Sequence, residues 1–221
     1  MKAVLFDLDG TLLDRDSSIN IFAENQYNKY YKALQHIDKD LYINRFIELD
    51  NREMVWKDKV YEQLVQEFTI TDLTWIELLD DYISRFCYSC KPFSNLHEML
   101  NRLKNMNIKL GLITNGKGTF QRHSINALEI DKYFSIILIS ELEGIKKPNA
   151  KIFEKALQHL QVQPNDCFFV GDHPENDINA AKRVGMYTIW KYTSGVTCDS
   201  ADFIIADLKQ IPIIMKDFQE E

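Results

Sequence analysis

Two aspartates near the start of the chain are separated by a single residue. Asp7 and Asp9 follow the apolar run Ala3–Phe6 and stand just before Gly10 and Thr11. An uninterrupted apolar run is typical of a buried parallel strand, which is covered on both faces. Side chains two positions apart on a strand point the same way, so both carboxylates are expected on one face at its end. Crowded carboxylates favour a bound cation, and Mg²⁺ typically binds one or two carboxylates together with water and phosphate.

Composition and charge limit the kind of partner. The 221-residue chain is 45% hydrophobic and 27% charged, as expected for a globular protein of one or two domains. Its formal net charge of −7 argues against nucleic acid or an anionic membrane as the main partner. A small phosphorylated ligand is compatible with this charge, because one pocket can be locally positive. Without a signal-peptide pattern or an apolar run of about 18 residues, a cytoplasmic location is expected.

The four cysteines do not form a recognisable metal site. Cys87 and Cys90 form a CxxC pair, but a zinc site would need a second pair or histidines at ligand spacing, and neither lies nearby. A thioredoxin-like pair should open a helix after a strand, whereas this pair ends a helical stretch. Together with Cys167 and Cys198, these cysteines are expected to be free, reduced thiols.

Residues 16–91 have the pattern of helices and contain no convincing strand. Apolar residues recur at three- and four-residue spacing in four segments: 19–27, 41–49, 55–68 and 73–86. The expected buried stripe of the fourth segment is Leu73, Ile76, Leu79, Ile83 and Phe86. Ser17 and Thr71 are the expected N-cap residues. Four helices without strands predict a small bundle inserted after the first strand.

From Pro92 onward, strands and helices alternate. The predicted strands are Ile108–Ile113, Phe134–Ile139, Cys167–Val170, Tyr187–Trp190 and Phe203–Ile205. The predicted helices are Phe93–Met106, Thr119–Leu128, Asn149–Leu160, Glu175–Val184 and a weak closing helix. This alternation predicts an α/β fold, a doubly wound parallel (Rossmann-like) sheet with helices on both faces. Because a lone strand cannot bury itself, residues 1–15 must join residues 92–221 in one core, with residues 16–91 as an insertion.

Polar residues follow several predicted strands. In such sheets, ligands bind outside the carboxyl ends of the strands. Thr114 and Asn115 end the second strand, Asp172 follows the fourth, and Lys147 lies in the loop after the third. A carboxylate cluster with a hydroxyl, an amide and a lysine suits phosphoryl transfer. The alternative to a cation site at Asp7 and Asp9 is that these residues simply form the polar end of the first strand and the start of a turn, where Asp and Gly are common.

In this order and spacing, the chain resembles the haloacid dehalogenase (HAD) superfamily, in its phosphatase branch with a helical C1-type cap. Its DxDGT motif matches Asp7–Thr11, and its second motif, a Thr or Ser at a strand end, matches Thr114. Its third motif matches Lys147, which precedes a proline, and its GDxxxxD motif matches Gly171–Asp177. The predicted bundle of residues 16–91 occupies the position of the family's cap. The resemblance covers essentially the whole chain.

The resemblance implies a role for each catalytic residue. Asp7 would be the nucleophile that forms an aspartyl-phosphate. Asp9 would protonate the leaving oxygen and then accept a proton from the hydrolytic water. Thr114 would donate a hydrogen bond to a phosphate oxygen, and Lys147 would neutralise charge on the phosphoryl group. Asn115 is a further candidate for phosphate contact.

The resemblance also implies a Mg²⁺ site. Its ligands would be Asp7, the backbone carbonyl of Asp9, and Asp172, with Asp177 supporting the ion directly or through water. Asp177 is expected in the first turn of a helix, where a carboxylate is favoured in any case. His173 is close enough in sequence to reach the site, although it also fits a turn residue before a proline.

The function implied is a Mg²⁺-dependent phosphatase acting on a small phosphorylated metabolite, but other functions stay open. A 2-haloacid dehalogenase shares the fold and lacks a counterpart of Asp9, because a halide leaving group needs no proton. A sugar phosphomutase shares the motifs. A receiver-type signalling module also carries a phosphorylatable Asp, yet it is usually shorter and has no helical insertion. A catalytically silent binding protein would not need the full set of motif residues that this chain carries.

In this family, residues of the cap select the substrate. The basic cap residues that could meet a second anionic group are Arg45, Arg52, Lys57 and Lys59. The sequence predicts neither the individual metabolite nor the oligomeric state.

Overall fold

The computed structural model describes residues 1–51 and 55–220 and contains two compact units. One unit joins Met1–Asp14 to Pro92–Glu221, and the other is Arg15–Lys91. Within the described residues, every helix is too short or too polar to cross a bilayer. The four cysteines in the described chain form no disulfide.

The first unit is built on a parallel sheet. Its six strands are β1 (Ala3–Phe6), β2 (Lys109–Thr114), β3 (Ile136–Ile139), β4 (Cys167–Gly171), β5 (Tyr187–Lys191) and β6 (Phe203–Ile205). Their order is β3-β2-β1-β4-β5-β6, and every neighbouring pair is parallel. From β1 the chain adds β2 and β3 on one side of the sheet and then β4, β5 and β6 on the other side. This is the strand order of a doubly wound fold, so that prediction is confirmed.

Strand β1 lies at the centre of this sheet. Phe6 aligns with Leu112 on β2 and with Val170 on β4. The backbone amide of Asp7 continues the ladder by donating to the carbonyl of Val170 at 2.9 Å. A central strand is covered on both faces and flanked on both edges, which explains why Ala3–Phe6 is apolar throughout and fully buried.

The second unit is helical in its described residues. Its helices are α1 (Arg15–Lys29), α2 (Tyr31–Leu34), α3 (Lys39–Asp50), α4 (Lys57–Glu67) and α5 (Trp75–Arg85). Both N-cap predictions are wrong. Ser17 lies inside α1, and Thr74, not Thr71, caps α5. Thr74 forms a capping box with Glu77, and Thr71 has no acidic partner three residues later.

The buried face of α5 differs from the predicted stripe. Ile76 and Ile83 are exposed, whereas the buried residues are Leu78, Asp81 and Tyr82. Asp81 can be buried because Gln26 donates to it at 3.1 Å and Lys29 forms an ion pair with it. A paired carboxylate, outside the predicted apolar stripe, therefore occupies part of the buried face of α5.

Three of the four basic cap residues already have carboxylate partners within the helical unit. The pairs are Arg45 with Glu67, Lys57 with Asp50, and Lys59 with Glu62. Arg52 lies outside the described residues. Contact of these cations with a substrate stays a prediction, and any such contact would compete with an existing ion pair.

Helices cover both faces of the sheet in the first unit. They are α6 (Leu96–Asn105), α7 (Gly118–Ala127), α8 (Ser140–Glu143), α9 (Ala150–Leu160), α10 (Ala180–Val184) and α11 (Ile211–Glu220). Neighbouring residues of β4 point to opposite faces. Phe169 contacts Phe153 of α9 at a ring-centroid distance of 5.1 Å, and Phe168 contacts Phe218 of α11 at 5.4 Å. Because the helices cover the two faces, the carboxyl edge of the sheet is formed by loops and by the first residues of helices.

Candidate active site

A buried lysine joins two carboxylates at the carboxyl edge of the sheet. Lys147 Nζ lies 2.5 Å from Asp7 Oδ1 and 2.6 Å from Asp177 Oδ1. The three residues are 3%, 6% and 1% exposed, respectively. Charged groups are tolerated at this depth only when they are paired and hydrogen-bonded. The network therefore fixes the side chain of Asp7, which directly follows β1.

Asn115 holds the loop that carries this lysine. Its Nδ2 donates to the carbonyl of Lys147 at 3.0 Å, and its Oδ1 accepts from the amide of Lys147 at 2.9 Å. The two bonds tie the loop to the end of β2. In the structure, Asn115 positions Lys147; its contact with phosphate stays a prediction.

Three carboxylates converge at a place suited to a divalent cation. Asp7, Asp172 and Asp177 each offer an oxygen, and these oxygens all lie within 4.8 Å of one another. Two motif glycines leave room for them. A Cβ on Gly10, whose φ is +79°, would lie 2.3 Å from Asp172 Oδ2, and one on Gly171 would lie 2.5 Å from the Cβ of Asp177. Carboxylate oxygens are the ligands that Mg²⁺ prefers, so the donor set fits this ion.

The electrostatics of the cluster also favour a cation. Burial raises the pKa of Asp7 to about 6, although Lys147 lowers it. Burial raises the pKa of Asp172 to about 8, and the charges of Asp7 and Asp177 add to the rise. Burial disfavours the charged form of Lys147, but Asp177 and Asp7 outweigh this effect and raise its pKa above the ordinary value. One lysine cannot balance three carboxylates, which a divalent cation would do.

Asp9 is held by a residue that the motifs did not reveal. Gln121 Nε2 donates to Asp9 Oδ2 at 2.6 Å. The same nitrogen lies 2.8 Å from Thr114 Oγ1 and 2.9 Å from the carbonyl of Asn115. Asp9 thus differs from Asp7 in its partners, since a neutral amide binds its carboxylate and a lysine binds that of Asp7.

The sequence contains one weak signal for Gln121. It shares the buried face of α7 and the turn that follows with Ser124, Ile125 and Leu128, at the spacing of a helical stripe. A glutamine is usually exposed, so its presence on a stripe next to a motif marks it as unusual. Nothing in the sequence identifies Asp9 as its partner.

Asp177 lies in the first turn of a helix, as predicted, and this helix is a π-helical segment, Pro174–Asn179. His173 caps this segment, because its Nδ1 accepts from the amides of Glu175 and Asn176 at 3.2 Å each. The amide of His173 donates to Asp177 Oδ2 at 3.0 Å. The imidazole of His173 therefore fixes the start of this segment, and the backbone amide of His173 holds the carboxylate of Asp177. The wider π-helical turn is often found at functional sites.

Two further contacts hold residues of the carboxylate cluster, one at a side chain and one at the backbone. Thr11 Oγ1 donates to Asp7 Oδ2 at 3.2 Å. The indole nitrogen of Trp190 donates to the carbonyl of Asp172 at 2.7 Å. Thr11 belongs to the first motif, whereas no sequence signal pointed to Trp190. All seven predicted site residues thus lie in the first unit: Asp7, Asp9, Thr114, Asn115, Lys147, Asp172 and Asp177.

Comparison with known proteins identifies the family of the chain. A family model described as haloacid dehalogenase-like hydrolase matches residues 4–191. The chain is 30% identical to a glyceraldehyde 3-phosphate phosphatase of Pyrococcus furiosus, over 96% of this chain and 91% of that protein. It is 29% identical to a phosphoglycolate phosphatase of Aquifex aeolicus, over 87% and 86%. The crystal structure of a HAD phosphatase from Thermococcus onnurineus superposes with a TM-score of 0.68 and 29% identity, covering 97% and 98%. The chain therefore belongs to the haloacid dehalogenase-like hydrolase family.

Proposed function

We propose that the protein is a Mg²⁺-dependent phosphatase that hydrolyses a small phosphomonoester through an aspartyl-phosphate. The observation that carries this proposal is the pair of differently held carboxylates at the end of β1. Asp7 is bound by Lys147 and Thr11 within the carboxylate cluster, and Asp9 is bound by Gln121. The phosphatases among its relatives support the same reaction type.

The first step forms a bond between an oxygen of Asp7 and phosphorus while the bond from phosphorus to the leaving oxygen breaks. Asp9 gives its proton to the leaving oxygen, which departs as an alcohol. Lys147 Nζ offsets negative charge beside Asp7, and the Thr114 hydroxyl donates to a phosphoryl oxygen.

The second step releases inorganic phosphate. Asp9, now ionised, accepts a proton from a water molecule as that water attacks phosphorus. The bond between Asp7 and phosphorus breaks, and the carboxylate of Asp7 is restored. The same residue thus serves as acid and then as base.

Mg²⁺ would be held by Asp7, Asp172 and Asp177, whose oxygens are close enough to share one ion. When bound, the ion supplies charge neutralisation for the phosphoryl oxygens. Asp9 would add its backbone carbonyl as a ligand, while its carboxylate stays with Gln121 until substrate arrives.

For the substrate, we favour a short phosphorylated carbon compound. Glyceraldehyde 3-phosphate and phosphoglycolate are the substrates in the names of two relatives that align along most of this chain. The helical unit, Arg15–Lys91, would act as the cap that selects among such compounds.

A panel assay tests the function. Purified protein is incubated with glyceraldehyde 3-phosphate, phosphoglycolate, a hexose phosphate and a nucleoside monophosphate, and inorganic phosphate is measured with Mg²⁺ or with EDTA. We expect phosphate release that depends on Mg²⁺ and is fastest with a short compound. Chloride release from a 2-chloroacid, isomer formation from a sugar phosphate, or a phospho-aspartate that persists for hours would instead support a dehalogenase, a mutase or a signalling module.

A further inference from the structure

The amide nitrogen of Gln121 has more acceptors than hydrogens. Its three acceptors, on Asp9, Thr114 and Asn115, lie at 2.6, 2.8 and 2.9 Å, and an amide nitrogen carries two hydrogens. The other end of this amide, Oε1, is buried and has no hydrogen-bond partner among residues 1–51 and 55–220. If the amide were reversed, Oε1 would lie against the carboxylate of Asp9, and two acceptor oxygens would repel each other. The orientation with Nε2 toward Asp9 is therefore the favourable one.

The surrounding chain is shaped to keep this side chain in place. Gln121 is 2% exposed, and its backbone amide donates to the carbonyl of Lys117 at 2.9 Å in the first turn of α7. Gly116 has φ +150°, and a Cβ there would lie 2.9 Å from Gln121 Nε2. A larger residue at position 116 would therefore displace the amide from its three acceptors.

The contact with Thr114 has a consequence for phosphate binding. Because Thr114 Oγ1 accepts from Gln121, its own hydrogen must point to a different acceptor. Its contact with the carbonyl of Asn115 is long, at 3.4 Å. A phosphoryl oxygen would be a better acceptor than this carbonyl, so the hydroxyl hydrogen would turn to the phosphoryl group when substrate binds.

We propose that Gln121 is a positioning residue that orients the carboxylate of Asp9 for proton transfer and the hydroxyl of Thr114 for phosphate. This inference rests on the proposed phosphatase function and deepens it. With two hydrogens for three acceptors, Gln121 can keep its bond to Thr114 while Asp9 exchanges its amide partner for the leaving oxygen. Gln121 thus connects the two motifs through Asp9 and Thr114, and it acts on the substrate only through these two residues.

The test replaces Gln121 with methionine, which has similar length but no donor. Values of kcat/KM are measured with Mg²⁺ for p-nitrophenyl phosphate and for the best alkyl phosphate of the panel. Departure of p-nitrophenolate needs no proton, and kcat/KM reports steps up to leaving-group departure. We expect kcat/KM for the alkyl phosphate to fall about 10- to 100-fold more than that for p-nitrophenyl phosphate, the effect of losing a hydrogen bond to a charged group.

Gln26→Met is the matched control. Gln26 is also a buried glutamine whose Nε2 binds an aspartate, Asp81 Oδ2, at 3.1 Å. Both variants should lower the melting temperature, but only Gln121→Met should change the ratio of the two kcat/KM values. If Gln121→Met does not fold, Gln121→Leu, which is also apolar and has no donor, should change the ratio in the same direction.

Equal losses on both substrates, or a ratio changed to the same extent by Gln26→Met, would overturn the role of Gln121 while leaving the phosphatase function intact. If the wild-type protein released phosphate from neither substrate, the proposed function would fail and this inference with it.

Discussion

At the scale of single residues, neighbouring side chains of the same type have different environments. Lys147 is 3% exposed and forms two ion pairs, whereas Lys146 beside it is exposed. The sequence distinguishes the two only through the motif, since Lys147 is the one that precedes a proline. A buried cation between two carboxylates neutralises charge that would otherwise oppose folding.

Lys147→Met should therefore lower stability as well as activity. Removing the cation leaves Asp7 and Asp177 buried without their partner, which typically costs about 3–5 kcal/mol. Urea denaturation measures the free energy of unfolding, with Lys146→Met as the control, expected within about 0.5 kcal/mol of wild type. Equal effects of the two substitutions would show that the ion pairs do not stabilise the fold.

At the scale of elements, a glycine after β1 leaves room for a carboxylate of the site. Gly10 follows β1 and faces Asp172, with φ +79°. Gly144 ends α8 with a similar φ of +64°, but a Cβ there would meet nothing within 4 Å. The two glycines share a positive φ, which glycine adopts without strain, and differ in the space around them, so they form a matched pair.

Gly144→Ala should lose about 1–2 kcal/mol of stability, because a side chain is disfavoured at positive φ, and Gly10→Ala should lose more because its Cβ also collides with Asp172. Only Gly10→Ala should also weaken Mg²⁺ binding, since the new Cβ collides with Asp172 Oδ2. Calorimetric titration with Mg²⁺ measures the difference. Unchanged affinity in Gly10→Ala would contradict the placement of the metal beside Asp172.

Elements that are determined by residues close together in sequence could be predicted, whereas features that depend on tertiary contacts could not. The strands of the sheet were predictable because buried parallel strands are apolar along their whole length, as Cys167–Gly171 shows. The N-cap at Thr74 could have been found from its capping-box partner Glu77. The buried position of Gln121 could not have been found, because it depends on a tertiary contact with Asp9, which is distant in sequence.

At the scale of the whole molecule, the fold assembles a site from residues that span most of the chain. β1 enters the centre of a sheet whose other strands begin about a hundred residues later, at Lys109. The chain leaves and re-enters the sheet unit at one place, where the amide of Phe93 donates to the carbonyl of Leu12 at 3.0 Å. The family motifs made this assembly predictable, although local periodicity alone would not have placed Asp7 beside Asp177.

The carboxylate cluster should make the stability of the Mg²⁺-free protein depend on pH. The pKa of Asp172 is about 8 and that of Asp7 about 6 in the folded protein, against an ordinary value of 3.8. Between these values the folded state binds more protons than the unfolded state, so the free energy of unfolding falls as pH rises. Each group contributes a slope of at most about 1.4 kcal/mol per pH unit.

Urea denaturation in EDTA from pH 5 to 8 measures this slope, with Asp172→Asn for comparison. The variant should show a shallower decline, because it lacks the group with the higher pKa. Mg²⁺ should stabilise the wild-type protein more at pH 8 than at pH 6, since its ligands must be deprotonated. A slope equal in the two proteins would contradict the environment assigned to Asp172.

The central claim is that Asp7 carries the phosphoryl group and Asp9 moves the protons. Asp9→Asn with p-nitrophenyl phosphate tests it most directly, by stopped-flow absorbance and mass spectrometry of the acid-quenched protein. Because p-nitrophenolate leaves without a proton, the first step should proceed while hydrolysis slows by about 100-fold or more. We predict a burst approaching one nitrophenolate per protein molecule, with phosphate on Asp7. Steady release without a burst, and with Asp7 unmodified throughout, would contradict the account.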